Sequence, residues 1–274
     1  MDNDKNVYKL ELLDLFKRVD SVLTRNNIRY FCMYGTCIGA IRHNGIIPWD
    51  NDIDIAVFRS DFDKAISCLN KQGDALICGD SKILSCCPKY FGRVFNRIDS
   101  KASLERRRAY IDIYVIDYAD NWKLLFLIRS FICVGLRRIL ARRKGNIGHQ
   151  HPFLYSLVDV ILLPLRIFPS KIILKLHDLL YFSSVGKKYV RIAGGATTRR
   201  HFMSEFVTSY RVAFNDTTIP VPCGYETLLT RSYGDWRTPP PVNERCGNAF
   251  VDYDGSWSVS LPKDQERTLK HAHD

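Results

Sequence analysis

The sequence predicts an α+β fold in which a mixed sheet is flanked by helices and carries a basic, apolar helical insertion. Strand-like alternation over 52–57 and 111–117 indicates the sheet, and apolar residues at helical spacing over 4–25 and 61–69 indicate flanking helices. Cations and apolar residues are mixed between 121 and 190, which indicates the insertion. A chain of 274 residues suits one large domain, or one domain with a subdomain.

The first predicted element is an amphipathic helix over 4–25. Its apolar face is formed by Leu12, Phe16, Val19 and Leu23. Residues 28–34 are β-branched and aromatic, which predicts a strand. Gly35 and Thr36 then allow a sharp turn into a short helix that ends near Arg42. Because amides at a helix start can receive phosphate oxygens, this turn is a candidate phosphate site.

Alternating aspartates follow this turn, namely Asp50, Asp52 and Asp54. In an extended backbone, the side chains of Asp52 and Asp54 point to one face and those of Ile53 and Ile55 to the other. Two hard oxygen ligands at this spacing suit Mg²⁺, whose remaining positions are usually filled by water and substrate phosphates. We therefore expect a metal site beside the candidate phosphate site, with Mg²⁺ or alternatively Mn²⁺ as cofactor.

The acidic run has other possible interpretations. An EF-hand loop requires glycine at its sixth position and glutamate at its twelfth, where this chain has Ile55 and Asp61. A solvated acidic loop fits poorly, because Trp49 and Ile53 interleave with the aspartates. A metal-bound Asp-x-Asp also holds the donor diphosphate in nucleotide-sugar glycosyltransferases, and the motif alone does not separate these enzymes.

Two later strands bring further charged residues. Residues 90–97 read as a strand with Arg93 and Arg97 on one face, where they can meet a diphosphate. Residues 111–117 alternate in the same way and place Asp112 near the strand start. Asp112 is thus a candidate third carboxylate.

The insertion over 121–190 holds twelve lysines and arginines against two aspartates, so it carries most of the net charge of +11. No run within it reaches the roughly eighteen uninterrupted apolar residues that a membrane-spanning helix needs. Helices that lie in the membrane interface, with cations toward anionic headgroups, match the pattern. An ordinary helical subdomain with cationic outer faces is the alternative. We expect no nucleic-acid partner, because no nucleic-acid motif accompanies the basic patch.

The cysteine content of the chain indicates its cellular compartment. Nine cysteines form no paired metal-binding spacing and follow no signal peptide, which indicates reduced thiols. We expect a cytoplasmic protein, peripheral on the inner membrane face if the insertion meets lipid.

The run 35–57, GTCIGAIRHNGIIPWDNDIDIAV, resembles the signature of the LicD family of phosphotransferases. This family is related to the fukutin proteins and belongs to the nucleotidyltransferase superfamily. Three further stretches share the resemblance, namely 111–117, 219–226 and 233–235. It covers roughly 28–245, apart from the divergent middle. Asn51 departs from the family, which more often carries aspartate there, but this position lies off the face of Asp52 and Asp54.

The resemblance implies a nucleotidyltransferase-like fold. It also implies transfer of a substituted phosphate to a hydroxyl of a cell-surface glycan or its lipid-linked precursor, with phosphocholine as the leading candidate. The implied donor is CDP-activated, such as CDP-choline, and lipopolysaccharide biosynthesis is one setting for this chemistry. Asp52, Asp54 and Asp112 are the expected catalytic and metal-binding residues, with Asp112 as ligand or general base. The expected donor-binding residues are Gly35, Thr36, Arg42, His43, Trp49, Arg93 and Arg97.

The predicted organisation has three parts. Residues 1–120 form the catalytic core, 121–190 the insertion, and 191–274 complete the catalytic domain. Besides a glycosyltransferase, two other functions stay open. A plain nucleotidyltransferase would attach the nucleotide itself and release pyrophosphate, and a binding module would not need the aspartates.

Overall fold

A computed structural model describes residues 2–72, 76–80, 91–96, 109–143, 163–182, 185–192, 199–242 and 245. Six helices lie in this part of the chain: α1 (Asp2–Arg25), α2 (Tyr34–His43), α3 (Arg59–Asn70), α4 (Lys123–Arg143), α5 (Ser170–Phe182) and α6 (Tyr225–Tyr233). The strands are β1 (Tyr30–Cys32), β2 (Ile53–Phe58), β3 (Leu76–Asp80), β4 (Phe91–Asn96), β5 (Tyr110–Ala119), β6 (Tyr189–Ile192), β7 (His201–Phe202), β8 (Ser209–Phe214) and β9 (Thr217–Pro222).

The main sheet is built around β5. Its strands follow the order β1-β2-β5-β4-β3, and β6 pairs with the second half of β5 and with β7. The β2 and β5 strands are parallel, whereas the other pairings in this sheet are antiparallel. β8 and β9 form a separate antiparallel hairpin. The predicted mixed sheet flanked by helices is therefore confirmed.

The first elements match the prediction with shifted boundaries. The predicted face of α1 is buried, since Leu12, Phe16, Val19 and Leu23 all belong to the core. β1 is shorter than the predicted strand over 28–34 and ends at Cys32. Tyr34, with a left-handed φ of 49°, instead begins α2. Asp52 precedes β2, which begins at Ile53.

In the described part of the insertion, helices α4 and α5 pack on each other. Leu136 and Ile139 of α4 form a small buried cluster with Ile173 of α5. Among the described residues, no helix combines the length and apolar content needed to cross a bilayer. The three-part division at residues 120 and 190 stays a prediction.

Candidate active site

Strand register places two acids and an arginine in one row across the sheet. Asp54 of β2 lies opposite Asp112 of β5 in the parallel pairing. Asp112 in turn lies opposite Arg93 of β4 in the antiparallel pairing. Neighbours in such a row point to the same face of a sheet, and Asp52 shares that face two residues ahead of Asp54. The register therefore gathers all four side chains.

Three carboxylates are close enough to share one cation. Ligand oxygens of Asp52, Asp54 and Asp112 all lie within 4.8 Å of one another. Asp54 and Asp112 are buried, and Asp54 Oδ1 has no hydrogen-bond partner among the described residues. A buried acceptor without a donor is rare in folded proteins, and a bound cation would satisfy it. This cluster can hold a metal ion.

The electrostatics of the cluster favour a bound cation. Burial, together with the charges of Asp52, Asp112 and Asp50, raises the pKa of Asp54 well above its ordinary value. Burial also raises the pKa of Asp112 to about 6, although hydrogen bonds and charge from Arg93 oppose the shift. A cation between the carboxylates would stabilise their charged forms.

The start of α2 adjoins the carboxylates. The Asp54 amide donates to Thr36 Oγ1 at 2.8 Å, and the Met33 amide donates to the Asp54 carbonyl at 2.9 Å. A Cβ atom added at Gly35 would collide with Asp50 Oδ2, so any larger residue here would have to displace the Asp50 carboxylate. The first amides of a helix have no acceptor within the helix, which leaves them suited to a phosphate beside the metal-binding cluster.

Arg93 contacts a carboxylate directly. Its Nε donates to Asp112 Oδ1 at 2.6 Å and its Nη2 to Asp112 Oδ2 at 2.9 Å, a bidentate geometry. The guanidinium carbon also lies 4.0 Å from the ring centre of Tyr110. Arg93 therefore orients Asp112, a contact that the predicted donor-binding role did not include. Arg97 lies outside the described residues.

Arg42, His43 and Trp49 form a second group at the far end of α2. Arg42 Nη1 donates to the Trp236 carbonyl at 2.6 Å and Nε to His43 Nε2 at 3.0 Å. The Trp49 ring packs edge-on against His43 and lies 4.5 Å from the guanidinium carbon of Arg245. At about 1.5 Å per residue, Arg42 lies about 9 Å along the axis from Thr36. The donor-binding roles of these three residues remain proposals.

Several tyrosines at the site were missed by sequence reasoning. Tyr114 hydrogen-bonds to Asp54, and its ring packs edge-on against Tyr34 with centres 5.3 Å apart. Burial and the charge of Asp54 raise the pKa of both tyrosines. Tyr114 was detectable, because it lies two residues from Asp112 on the same face. Tyr8, whose hydroxyl donates to the Asn51 carbonyl at 2.9 Å, depends on how α1 packs and carries no local signal.

Comparison with known proteins identifies the family. The family described as "LicD/FKTN/FKRP, nucleotidyltransferase domain" matches residues 27–123. The lipopolysaccharide cholinephosphotransferase LicD of Haemophilus influenzae is 42% identical over 255 residues, covering 86% of this chain and 91% of that protein. The chain belongs to the LicD family. The predicted membership of this phosphotransferase family is therefore confirmed.

Shorter matches point the same way. This LicD-family chain is 48% identical to the uncharacterized protein RP689 of Rickettsia prowazekii over 52 residues, 19% of the chain and 20% of that protein. It is 38% identical to the human ribitol 5-phosphate transferase FKRP over 50 residues, 18% of the chain and 10% of that protein. The chain thus spans about a fifth of the first of these relatives and a tenth of the second.

Proposed function

We propose that this LicD-family protein is a metal-dependent transferase that takes a substituted phosphate from a CDP-activated donor. The favoured group is choline phosphate. The acceptor is a hydroxyl of a cell-surface glycan or of its lipid-linked precursor. The cluster of Asp52, Asp54 and Asp112, with its unpartnered Asp54 oxygen, is the observation that carries this proposal. Similarity to a lipopolysaccharide cholinephosphotransferase over 86% of the chain supports the choice of choline phosphate.

Asp52, Asp54 and Asp112 are the residues that would hold the cation. Their donor atoms are all carboxylate oxygens, the ligands of hard ions such as Mg²⁺ or, alternatively, Mn²⁺. When bound, Mg²⁺ supplies charge neutralisation to the donor diphosphate and to the departing nucleotide monophosphate.

The protein's own groups position the donor. In our proposal, the first-turn amides of α2 at Gly35 and Thr36 receive phosphate oxygens. The bond from the Asp54 amide to the Thr36 hydroxyl holds strand and helix at a fixed distance. Arg42, His43 and Trp49, with Arg245 beside them, add positive and aromatic surface for more distal parts of the substrates.

Asp112 is the proposed acceptor of the proton from the attacking hydroxyl. Burial raises the pKa of Asp112 to about 6 in the metal-free protein, and a bound cation would lower it, so the carboxylate is deprotonated and able to accept a proton at neutral pH. Arg93 holds both Asp112 oxygens and so fixes the direction from which the carboxylate can take a proton. In this role Arg93 is a positioning residue.

A second candidate function is plain nucleotidyl transfer, favoured by the description of the matched domain as a nucleotidyltransferase domain. The same aspartates would serve, but the nucleotide would be attached to the acceptor and pyrophosphate released from a nucleoside triphosphate. The identity of the leaving group separates the two reactions.

The proposal is tested by identifying the released nucleotide. Purified protein is incubated with Mg²⁺, a glycan-lipid extract and, in separate reactions, CDP-choline, CDP-ribitol, CDP-glycerol, CTP, or UDP- and GDP-sugars. Selective release of CMP from CDP-choline, with choline phosphate recovered on the glycan, supports the proposal. Pyrophosphate from CTP would indicate a nucleotidyltransferase, and UDP or GDP from nucleotide sugars would indicate a glycosyltransferase.

A further inference from the structure

Helix α5 carries apolar residues on its outward side as well as on its buried side. Its buried face includes His177 and Tyr181, at a spacing of four residues. Its opposite face carries Ile172 and Leu179, which are 49% and 66% exposed. Surface helices normally point apolar residues inward and polar residues outward. α5 departs from this pattern, because its outward side also carries large aliphatic side chains.

The exposed apolar surface continues into the turn before α5. Ile167, in the turn of 3₁₀ helix over Leu163–Ile167, is 82% exposed. Seventeen large hydrophobic residues are exposed in the described part of the chain, and nine of them fall between residues 122 and 185. Five of the nine lie between residues 167 and 182, on α5 and the turn before it. Scattered exposed hydrophobics need no explanation, but such a density on one helix is typical of an interaction surface.

Contacts on the inner side hold α5 in this orientation. The guanidinium carbon of Arg191, on β6, lies 3.4 Å from the ring centre of Tyr181. Ile173 packs against Leu136 and Ile139 of α4. A rotation of α5 that hid Ile172 and Leu179 would break these contacts, so the apolar face is fixed outward.

The charged residues on the outward side of α5 are all positive. Lys171 and Lys175, four residues apart, are both exposed. Asp178, the acid of α5, makes a 3.4 Å contact with the buried His177 ring. A face that combines aliphatic side chains with lysines matches an anionic lipid surface, where apolar groups enter the acyl boundary and lysines meet headgroup phosphates.

We propose that the α5 outer face, defined as Ile167, Lys171, Ile172, Lys175 and Leu179, docks the protein on an anionic membrane surface. The apolar members enter the headgroup boundary, and the two lysine ammonium groups reach lipid phosphates. Membrane binding does not require enzyme turnover, so this proposal can be tested separately from the proposed reaction.

Vesicle flotation with the full chain tests the docking. Vesicles of phosphatidylcholine alone are compared with vesicles that contain phosphatidylglycerol as well. Binding to the anionic vesicles is expected, with at least about tenfold weaker binding to the neutral ones. Lys171→Gln/Lys175→Gln should weaken anionic-vesicle binding about fivefold for each lysine removed. Ile172→Ser/Leu179→Ser should weaken it by at least about tenfold.

A matched control removes exposed apolar groups elsewhere. Val7→Ser/Leu10→Ser alters two exposed residues of α1 and should leave vesicle binding unchanged, with circular dichroism confirming that each variant is folded. The lysine variant changes only exposed side chains, so it keeps the test valid if the apolar variant fails to fold. The proposal would be overturned if neutral and anionic vesicles bound the protein equally, or if the α1 control lost as much vesicle binding as the α5 variants. It would also be overturned if the wild type self-associated and Ile172→Ser/Leu179→Ser abolished that association.

Discussion

Single residues at the carboxylate cluster are arranged for ligand binding at a cost in stability. Asp54 is buried, lies beside two other carboxylates and leaves Oδ1 without a hydrogen-bond partner in the described structure. An uncompensated buried charge destabilises the folded state unless a cation is bound. We therefore expect this loss of stability in the metal-free protein and not in the metal-bound protein.

We therefore expect Asp54→Asn to stabilise the metal-free protein while removing its response to metal. The free energy of unfolding in chelator should rise by about 1 to 3 kcal/mol, because a buried carboxyl whose pKa is raised by its neighbours is replaced by a neutral amide. Mg²⁺ should raise the melting temperature of the wild type and not that of the variant. Asp63→Asn, at an exposed position of α3, is the control and should behave as wild type. A less stable Asp54→Asn protein would contradict this account.

The second residue-scale prediction concerns pH. Burial and the neighbouring Asp52 raise the pKa of Asp50 from 3.8 to about 7 in the folded protein. Between pH 4 and 7 the folded state therefore holds a proton that the unfolded state has lost, so stability falls as pH rises through this window. Relative to Asp50→Asn, the metal-free wild type should lose about 1 to 3 kcal/mol between pH 5 and pH 8.

Urea unfolding of both proteins at several pH values measures this difference. Taking the difference cancels the opposite contribution of His201, whose pKa is lowered to about 4 by burial. A difference that stays constant from pH 5 to pH 8 would show that Asp50 is not held in the buried, charged surroundings described above.

At the scale of elements, strand register sets the chemistry of the site. The parallel pairing of β2 with β5 places Asp54 beside Asp112, and the antiparallel pairing of β4 with β5 places Arg93 beside Asp112. The Arg93–Asp112 pair is largely buried, with side chains 15% and 7% exposed. Removal of one partner from such a pair leaves an uncompensated charge.

Arg93→Gln should lower the free energy of unfolding by about 2 to 4 kcal/mol and reduce turnover, because Asp112 loses its positioning partner. Arg93→Lys should restore part of the stability and little of the turnover, since an ammonium group cannot form the bidentate contact. Arg237→Gln breaks the pair with Glu226, whose side chains are 59% and 58% exposed, and should cost less than about 1 kcal/mol. Equal effects of the buried and exposed changes in urea unfolding would contradict the role of Arg93.

Local patterns explain which of these features the sequence could predict. The face of α1 and the alternation of Asp52 with Ile53 and Asp54 follow from helical and strand periods, and both match the structure. The pairing of Arg93 with Asp112 depends on which strands become neighbours, and no local pattern contains that information. The early end of β1 was missed because the left-handed backbone of Tyr34 has no sequence signature at a tyrosine.

At the scale of the whole molecule, the chain joins a carboxylate cluster on the main sheet to a basic helical region. Similarity to the lipopolysaccharide cholinephosphotransferase LicD extends over 86% of the chain and so includes more than the acidic motif. The inner side of α5 meets β6 through Tyr181 and Arg191, and β6 pairs with β5, the strand that carries Asp112. The proposed membrane surface and the proposed active site are thus attached to the same sheet.

The central claim is that the carboxylate cluster holds the cation needed for phosphate transfer. The most direct test measures the rate of CMP release from CDP-choline in the presence of glycan-lipid acceptor and Mg²⁺. The wild type, Asp54→Asn and Asp63→Asn are compared. We expect the wild type and Asp63→Asn to release CMP at similar rates that fall to background in chelator. We expect Asp54→Asn to be slower by a factor on the order of 10³, because the cluster that binds the cation is disrupted. Unchanged, Mg²⁺-dependent release by Asp54→Asn would contradict the assignment of the metal site.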